Sequence, residues 1–174
     1  MLPRDAIVCN GAGNYTVWVH RFHRYRQFRT ELAPVSGSMG YGLPAAVAAK
    51  LRHPGRTVVC FAGDGCFLMY PQELATAAQY GVAIIVIVVR NGMYGTIRMH
   101  QERRFPGRVS GTDLAGPDFV ALARSFGAYA ERVEKTEDFA DAFARAQEAG
   151  KPALLELQVD PAQITPNARL TSGK

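Results

Sequence analysis

Two segments of this sequence are apolar throughout, and they restrict the fold more than any other feature. They read TVVCFA at Thr57–Ala62 and AIIVIVV at Ala83–Val89. A strand with one face in water alternates apolar and polar residues, whereas a strand covered by helices on both faces is apolar at every position. We therefore predict that these two segments are the central strands of a parallel sheet with helices on both faces.

Strand-like and helix-like segments alternate along the rest of the chain. This alternation is typical of a parallel sheet whose strands are joined by crossover helices. The other predicted strands are Ala6–Cys9, Ala128–Arg132 and Ala153–Val159. The predicted helices are Thr16–Arg26, Leu43–Leu51, Pro71–Tyr80, Tyr94–Arg103, Pro117–Phe126 and Thr136–Ala149. We therefore predict an α/β fold with a doubly wound, mostly parallel sheet in a three-layer arrangement.

A chain of 174 residues is long enough for one domain, since domains commonly contain about 100–200 residues. We predict a single domain over residues 1–174. Within it, the turn-rich segment Phe105–Gly116 is predicted to be a loop. Residues 161–174 show no periodic pattern and are predicted to form a surface tail.

The composition favours a protein of the reducing cytoplasm. The three cysteines, Cys9, Cys60 and Cys66, are odd in number and lack CxxC spacing, which argues against a disulfide framework or a zinc cluster. The longest apolar run, Ala83–Val89, is far shorter than the roughly 20 residues of a membrane helix, and the first residues lack a signal-type apolar stretch. We therefore expect no membrane partner. The net charge of +5 favours anionic ligands without identifying one.

Polar residues follow both central strands. Gly63-Asp64-Gly65 follows the first strand and Asn91 follows the second. Glycines let main-chain N–H groups approach a phosphate closely, but the Asp64 carboxylate would repel that phosphate unless a cation lay between them. The carboxyl ends of parallel strands meet at one sheet edge, where ligands bind. Since magnesium takes about six oxygen ligands, few of them from protein, Asp64 and Asn91 predict a magnesium site for a phosphate ligand.

Four segments carry a resemblance to a known family. They are GAGNYTVW at Gly11–Trp18, SGSMGYGLPAA at Ser36–Ala46, GDGCFLMYPQELATA at Gly63–Ala77 and RNGMYG at Arg90–Gly95. The GDG, followed by the 25 residues 66–90 and then Asn91, is similar to the motif of thiamine diphosphate enzymes. Nearly the whole chain resembles the C-terminal diphosphate-binding domain of acetolactate synthase-like enzymes and 2-oxo acid decarboxylases.

The resemblance implies that the chain binds thiamine diphosphate and Mg²⁺. Asp64 and Asn91 would bind the metal through their side chains, and Met93 through its main-chain carbonyl. Met39 would support the bent cofactor, with the main chain of Gly37 and Met39 at the aminopyrimidine. The implied residues at the diphosphate are Asn14, Tyr15, Gly65 and Cys66. The other implied cofactor-binding residues are Gly13, Ser38, Gly63, Tyr94 and Gly95. The implied substrate-side residues are Thr96, Ile97 and His100.

The resemblance further implies decarboxylation of a small 2-oxo acid, with or without ligation of the product to a second carbonyl. The family's activating glutamate comes from a pyrimidine-binding domain, usually on another subunit, and no glutamate of this chain matches that motif. We therefore expect a fragment, or one subunit of a split enzyme, that is inactive alone. A pyrimidine-binding domain in a homo- or hetero-oligomer would complete it. Arg90 stands where many relatives have Asn, and Tyr15 where many have His, so the substrate class stays open.

Two other functions fit parts of the sequence. The chain could be a non-catalytic module that binds magnesium diphosphate for regulation or assembly. Alternatively, the stretch RFHRYRQFR at Arg21–Arg29 interleaves basic and aromatic residues, as RNA-binding surfaces do. We favour a solvated helix face or a subunit contact for this stretch and expect no nucleic-acid partner.

Overall fold

The computed structural model describes residues 1–170, which form a six-stranded sheet with all strands parallel. The strands are β1 Ile7–Asn10, β2 Glu31–Leu32, β3 Val58–Gly63, β4 Ile85–Arg90, β5 Tyr129–Val133 and β6 Ala153–Gln158. Their order across the sheet is β2-β1-β3-β4-β6-β5. The two segments that are apolar throughout form β3 and β4 at the centre, which confirms that prediction.

Helices connect the strands on both faces of the sheet. They are α1 Tyr15–Phe22, α2 Gly42–Arg52, α3 Asp64–Phe67, α4 Glu73–Gln79, α5 Gly95–Arg104, α6 Phe119–Ser125 and α7 Phe139–Glu148. A 3-10 turn at Thr136–Asp138 precedes α7. Every predicted helix is present. Within residues 1–170, no helix is both long enough and apolar enough to cross a membrane.

Alternate residues of the central strands pack into two separate cores. Val58 and Cys60 lie in a core with buried residues of α2, α4 and α6, whereas Val59 lies in a core with α7. Burying one Val or Ile side chain contributes roughly 1.5–3 kcal/mol, so an unbroken apolar strand stabilises both layers at once. The predicted α/β, three-layer arrangement is therefore confirmed.

The structure differs from the predicted secondary structure after the first helix. α1 ends at Phe22 rather than Arg26, and His23 is extended with a ψ of 127°. A longer helix would bring Arg21 and Arg24 together at i,i+3 spacing, where like charges destabilise a helix. The chain then forms β2, a two-residue edge strand that the sequence does not predict.

The predicted surface tail also differs, because it contains a hairpin. Gln163–Thr165 (β7) and Ala168–Arg169 (β8) pair antiparallel. Ile164 is only 3% exposed, and β7 packs beside α1 and α5. One apolar residue in a polar segment gives no periodic signal, so this burial arises from tertiary contacts that the sequence pattern does not show. Residues 171–174 of the predicted tail lie outside the described residues.

The topology brings several loops to one edge of the sheet. The chain passes from β1 to β2 on one side and from β3 to β4 on the other, so the strand order reverses between β1 and β3. Such a reversal leaves a crevice at the carboxyl ends of the strands, where α/β proteins bind ligands. The segments that follow β1, β3 and β4 meet there.

Candidate functional site

Asp64 is buried at the carboxyl end of β3, where two main-chain groups bind its carboxylate. The N–H of Gly65 donates to Oδ1 at 2.8 Å, and the N–H of Gly92 donates to Oδ2 at 2.7 Å. Burial raises the pKa of Asp64 above 3.8, although these hydrogen bonds and the Arg90 charge lower it. None of the ion pairs within residues 1–170 includes Asp64. This buried carboxylate therefore has the surroundings of a cation ligand.

The loop after β4 presents further oxygen atoms beside Asp64. The Asn91 Oδ1 accepts a hydrogen bond from the Met93 N–H at 3.2 Å, and the Met93 carbonyl accepts one from the Gly95 N–H at 3.0 Å. Gly92 has a φ of 71°, a left-handed conformation that glycine adopts without strain. Amide and carbonyl oxygens keep a second lone pair after one hydrogen bond. One carboxylate, one carboxamide and one carbonyl form the hard oxygen set that Mg²⁺ prefers.

Cys66 connects three of the loops at this edge. Its Sγ accepts hydrogen bonds from the Tyr15 hydroxyl at 3.4 Å and from the Gly40 N–H at 3.2 Å. The Tyr15 ring packs against Gly63, where an added Cβ would lie 3.1 Å from the ring. Burial raises the pKa of the Tyr15 phenol far above its ordinary value, so the hydroxyl stays protonated and donates. The structure thus directs the Tyr15 hydroxyl to Cys66.

Replacing Gly11 by Ala is expected to lower the free energy of unfolding by about 1–3 kcal/mol, the usual effect of overpacking a core. The added Cβ would lie 2.3 Å from the Cys66 Sγ, which two hydrogen bonds hold in place. Urea unfolding followed by circular dichroism measures the change. Gly55→Ala is the matched control, because nothing lies within 4 Å of its Cβ position, and we expect a change within about 0.5 kcal/mol. Equal midpoints for the two variants would contradict this close packing.

The remaining predicted residues divide into those held by contacts within the chain and those exposed to solvent. The Thr96 hydroxyl donates to the Asn14 Oδ1 at 2.9 Å, and the Asn14 Nδ2 lies 3.9 Å from the Met99 Sδ. A Cβ on Gly65 would lie 2.6 Å from the Tyr94 ring. Ile97 is 54% exposed. Gly37, Ser38 and His100 are also exposed, Met39 is half-buried, and Gly13 lies beside the Tyr15 ring.

The concave surfaces of the protein include two that lie away from these residues. A cavity of about 330 Å³ is lined by Tyr129 and Lys151, among others, and one of about 160 Å³ by Lys50 and Thr57. Both are at the amino ends of the strands. The candidate site at the carboxyl ends is instead an open edge, with Gly37 and Ser38 exposed to solvent.

The structure adds site residues that the sequence analysis missed. In the predicted loop, the Thr112 carbonyl accepts from the Tyr94 N–H at 2.9 Å, and the Leu114 N–H donates to the Gly92 carbonyl at 2.9 Å. Arg98 anchors the same loop by donating to the Thr112 hydroxyl at 2.8 Å. These contacts join segments far apart in the chain, and no spacing in the sequence indicates them. The loop that follows β4 is therefore held from both sides, by Asp64 and by residues 112–114.

The sequence over residues 11–157 matches the family described as thiamine pyrophosphate enzyme, C-terminal TPP binding domain. The chain belongs to this family. Both the fold and the family predicted from the sequence are thus confirmed.

Several relatives of this TPP-binding domain are much longer proteins. The acetolactate synthase large subunit of Corynebacterium glutamicum is 38% identical over 170 residues, which are 93% of this chain and 27% of that subunit. The probable acetolactate synthase large subunit of Methanocaldococcus jannaschii is 33% identical over 97% of this chain and 30% of its own length. This chain therefore spans less than a third of the length of these curated relatives.

A solved structure has the same fold as this TPP-binding domain. The thiamine diphosphate-dependent 4-hydroxybenzoylformate decarboxylase of Rhodococcus jostii RHA1 gives a TM-score of 0.85 at 34% identity. The match covers 91% of this chain and 30% of that one. The similarity therefore covers most of this chain and less than a third of the solved one.

Proposed function

We propose that this chain binds thiamine diphosphate through a magnesium ion at the carboxyl edge of its sheet. The Asp64 carboxylate carries this proposal. It is 3% exposed, it accepts main-chain N–H groups on both oxygens, and it has no ion-pair partner in the part of the chain that the structure describes. Asn91 and the Met93 carbonyl would complete the protein's share of ligands, and the diphosphate and water would supply the rest.

The other predicted residues would bind the organic part of the cofactor. Gly65 and Cys66, at the start of α3, would lie against the diphosphate together with Asn14, whose carboxamide Thr96 holds. Because the Tyr15 hydroxyl donates to Cys66, Tyr15 would act by supporting Cys66. Met39 would support the bent cofactor from its half-buried position, and the main chain of Gly37 and Met39 would face the aminopyrimidine.

We infer that the assembled enzyme decarboxylates a small 2-oxo acid, with or without ligation of the product to a second carbonyl. When bound, thiamine diphosphate supplies the electron sink that such a decarboxylation needs. The residues of this chain bind and orient the cofactor and neutralise its diphosphate. Thr96, Ile97 and His100, on α5, would face the substrate.

A pyrimidine-binding domain, on this polypeptide or on another subunit of a homo- or hetero-oligomer, would cover the open edge of the site. The exposure of Gly37 and Ser38 supports this arrangement, as does the greater length of the relatives. The chain alone would then be inactive. We place the enzyme in the cytoplasm, because Cys9, Cys60 and Cys66 are free and buried.

Calorimetric titration of the 174-residue chain with thiamine diphosphate tests the proposal. We expect binding at least about tenfold tighter in Mg²⁺ than in EDTA, since a metal-free diphosphate would face the Asp64 carboxylate directly. Equal affinity under both conditions would contradict the proposed site.

Adding a separate pyrimidine-binding domain then distinguishes an enzyme from a non-catalytic binding module. Turnover of a 2-oxo acid supports an enzyme, whereas binding without turnover favours a regulatory or assembly module.

A further inference from the structure

A buried glutamate lies between two arginines beside the candidate site. Glu156, on β6, is fully buried and has Arg90 of β4 and Arg132 of β5 on either side. The Arg90 Nη1 donates to Oε1 at 2.6 Å. The Arg132 Nε is 3.2 Å from Oε2, but this oxygen has no hydrogen-bond partner among residues 1–170, so that contact is an ion pair without hydrogen-bond geometry. The hydrogen bond to Glu156 therefore fixes the orientation of the Arg90 guanidinium, whereas the ion pair with Arg132 is not directional.

The Arg90 guanidinium is also connected to both proposed metal-binding segments. Arg90 directly precedes Asn91 in the chain. Its Cζ lies 5.5 Å from the centre of the Phe119 ring, and Phe119 packs edge-on against Phe67 with 5.7 Å between ring centres. Phe67 ends α3, the short helix that Asp64 begins. Arg90 and Asp64 are therefore linked through packed rings; burial raises the pKa of the Asp64 carboxyl, and the Arg90 charge lowers it.

A positive charge at this position would oppose a metal ion at Asp64. At separations of several ångströms and an effective dielectric constant of about 20, a unit charge changes the affinity for a divalent cation by about tenfold or more. Arg90 is one-quarter exposed, so solvent screens it only in part. The buried Glu156 carboxylate is the ion-pair partner of Arg90, and Arg132, its other neighbour, also pairs with Asp118.

We propose that Glu156 is a positioning residue for the metal site: it holds the Arg90 guanidinium on Phe119 and cancels a charge that would otherwise repel the cation at Asp64. This inference rests on the proposed function. It concerns metal affinity, and so it is measurable without turnover.

Calorimetric titration with Mg²⁺ at a saturating concentration of inorganic pyrophosphate tests the role of Glu156. In Glu156→Gln, we expect the half-saturating Mg²⁺ concentration to rise about tenfold, because Arg90 loses its counter-ion. In Arg90→Asn/Glu156→Gln it should return to within about threefold of the wild-type value, because the Arg90 charge is also gone and Arg132 keeps Asp118 as an ion-pair partner. Glu131→Gln is the matched control: Glu131 also pairs with an arginine, Arg145, on the α7 side of the sheet, and this variant should behave like wild type.

The single arginine variants keep the proposal testable if Glu156→Gln fails to fold. Arg90→Asn should need no more Mg²⁺ than wild type, and Arg90→Lys should resemble wild type. A tenfold increase in Arg90→Asn, or a double variant as weak as Glu156→Gln, would overturn the inference. Wild-type protein that shows no Mg²⁺-dependent binding of pyrophosphate or thiamine diphosphate would refute the proposed function itself. Wild-type binding with an unchanged Glu156→Gln variant would refute only the role of Glu156.

Discussion

Replacing Asp64 by Asn is expected to weaken Mg²⁺-dependent binding of thiamine diphosphate by at least about a hundredfold, which corresponds to about 2.8 kcal/mol. The substitution removes the single negative charge that the chain contributes to the proposed site, in a buried position where solvent cannot replace it. Mg²⁺ prefers charged oxygen ligands, and a carboxamide supplies only a dipole. Calorimetric titration of the variant with the cofactor in excess Mg²⁺ measures the loss.

The same substitution should leave the fold largely intact. One carboxamide oxygen can still accept from Gly65 or Gly92, and the loss of the second hydrogen bond costs about 1–3 kcal/mol. The raised pKa of the Asp64 carboxyl partly offsets the free energy lost with this hydrogen bond. Because the folded-state pKa of Asp64 lies above 3.8, the metal-free fold loses stability as pH rises from 3.8 through that raised pKa, and Asn removes this penalty. Asp141→Asn, an exposed position on α7, is the control. Wild-type affinity in Asp64→Asn would exclude Asp64 as the metal ligand.

The centre of the fold was predictable because burial on both faces has a direct signature in the sequence. A strand with helices on both sides does not alternate apolar and polar residues. The strands Val58–Gly63 and Ile85–Arg90 are therefore recognisable without any contact information. The positions of Asp64 and Asn91 follow from these strands, since parallel strands end at one edge. The short strand Glu31–Leu32 was not predictable, because two residues are too few to show a periodic hydrophobic pattern.

The surroundings of the site depend on tertiary contacts that a linear pattern does not record. Glu156 lies in the strand sequence ALLELQ, where its alternation with leucines is typical of a solvent-exposed position. Its burial depends on Arg90, a residue 66 positions away in the chain. The resemblance placed Tyr15 at the diphosphate, but the direction of its hydroxyl, toward Cys66, depends on how the glycines at Gly11 and Gly63 let the ring approach.

Replacing Phe119 by Ala is expected to lower the free energy of unfolding by about 3–5 kcal/mol, the usual cost of removing a buried aromatic ring. Phe119 is fully buried at the start of α6, and it contacts both the Phe67 ring and the Arg90 guanidinium. Domains are stable by only about 5–15 kcal/mol, so a large part of the stability would be lost. Urea unfolding of the full chain measures the shift in midpoint.

Two further variants distinguish the loss of buried volume at Phe119 from the loss of the aromatic face that Arg90 contacts. Phe28→Ala removes a ring that is 86% exposed and should change stability by no more than about 0.5 kcal/mol. Phe119→Leu fills most of the space but offers Arg90 no aromatic face, so it should recover at least half of the loss and lack only the ring contact, worth about 0.5–2 kcal/mol. If Phe119→Ala cost less than about 1 kcal/mol, the Arg90, Phe119 and Phe67 side chains would not form a packed connection between β4 and α3.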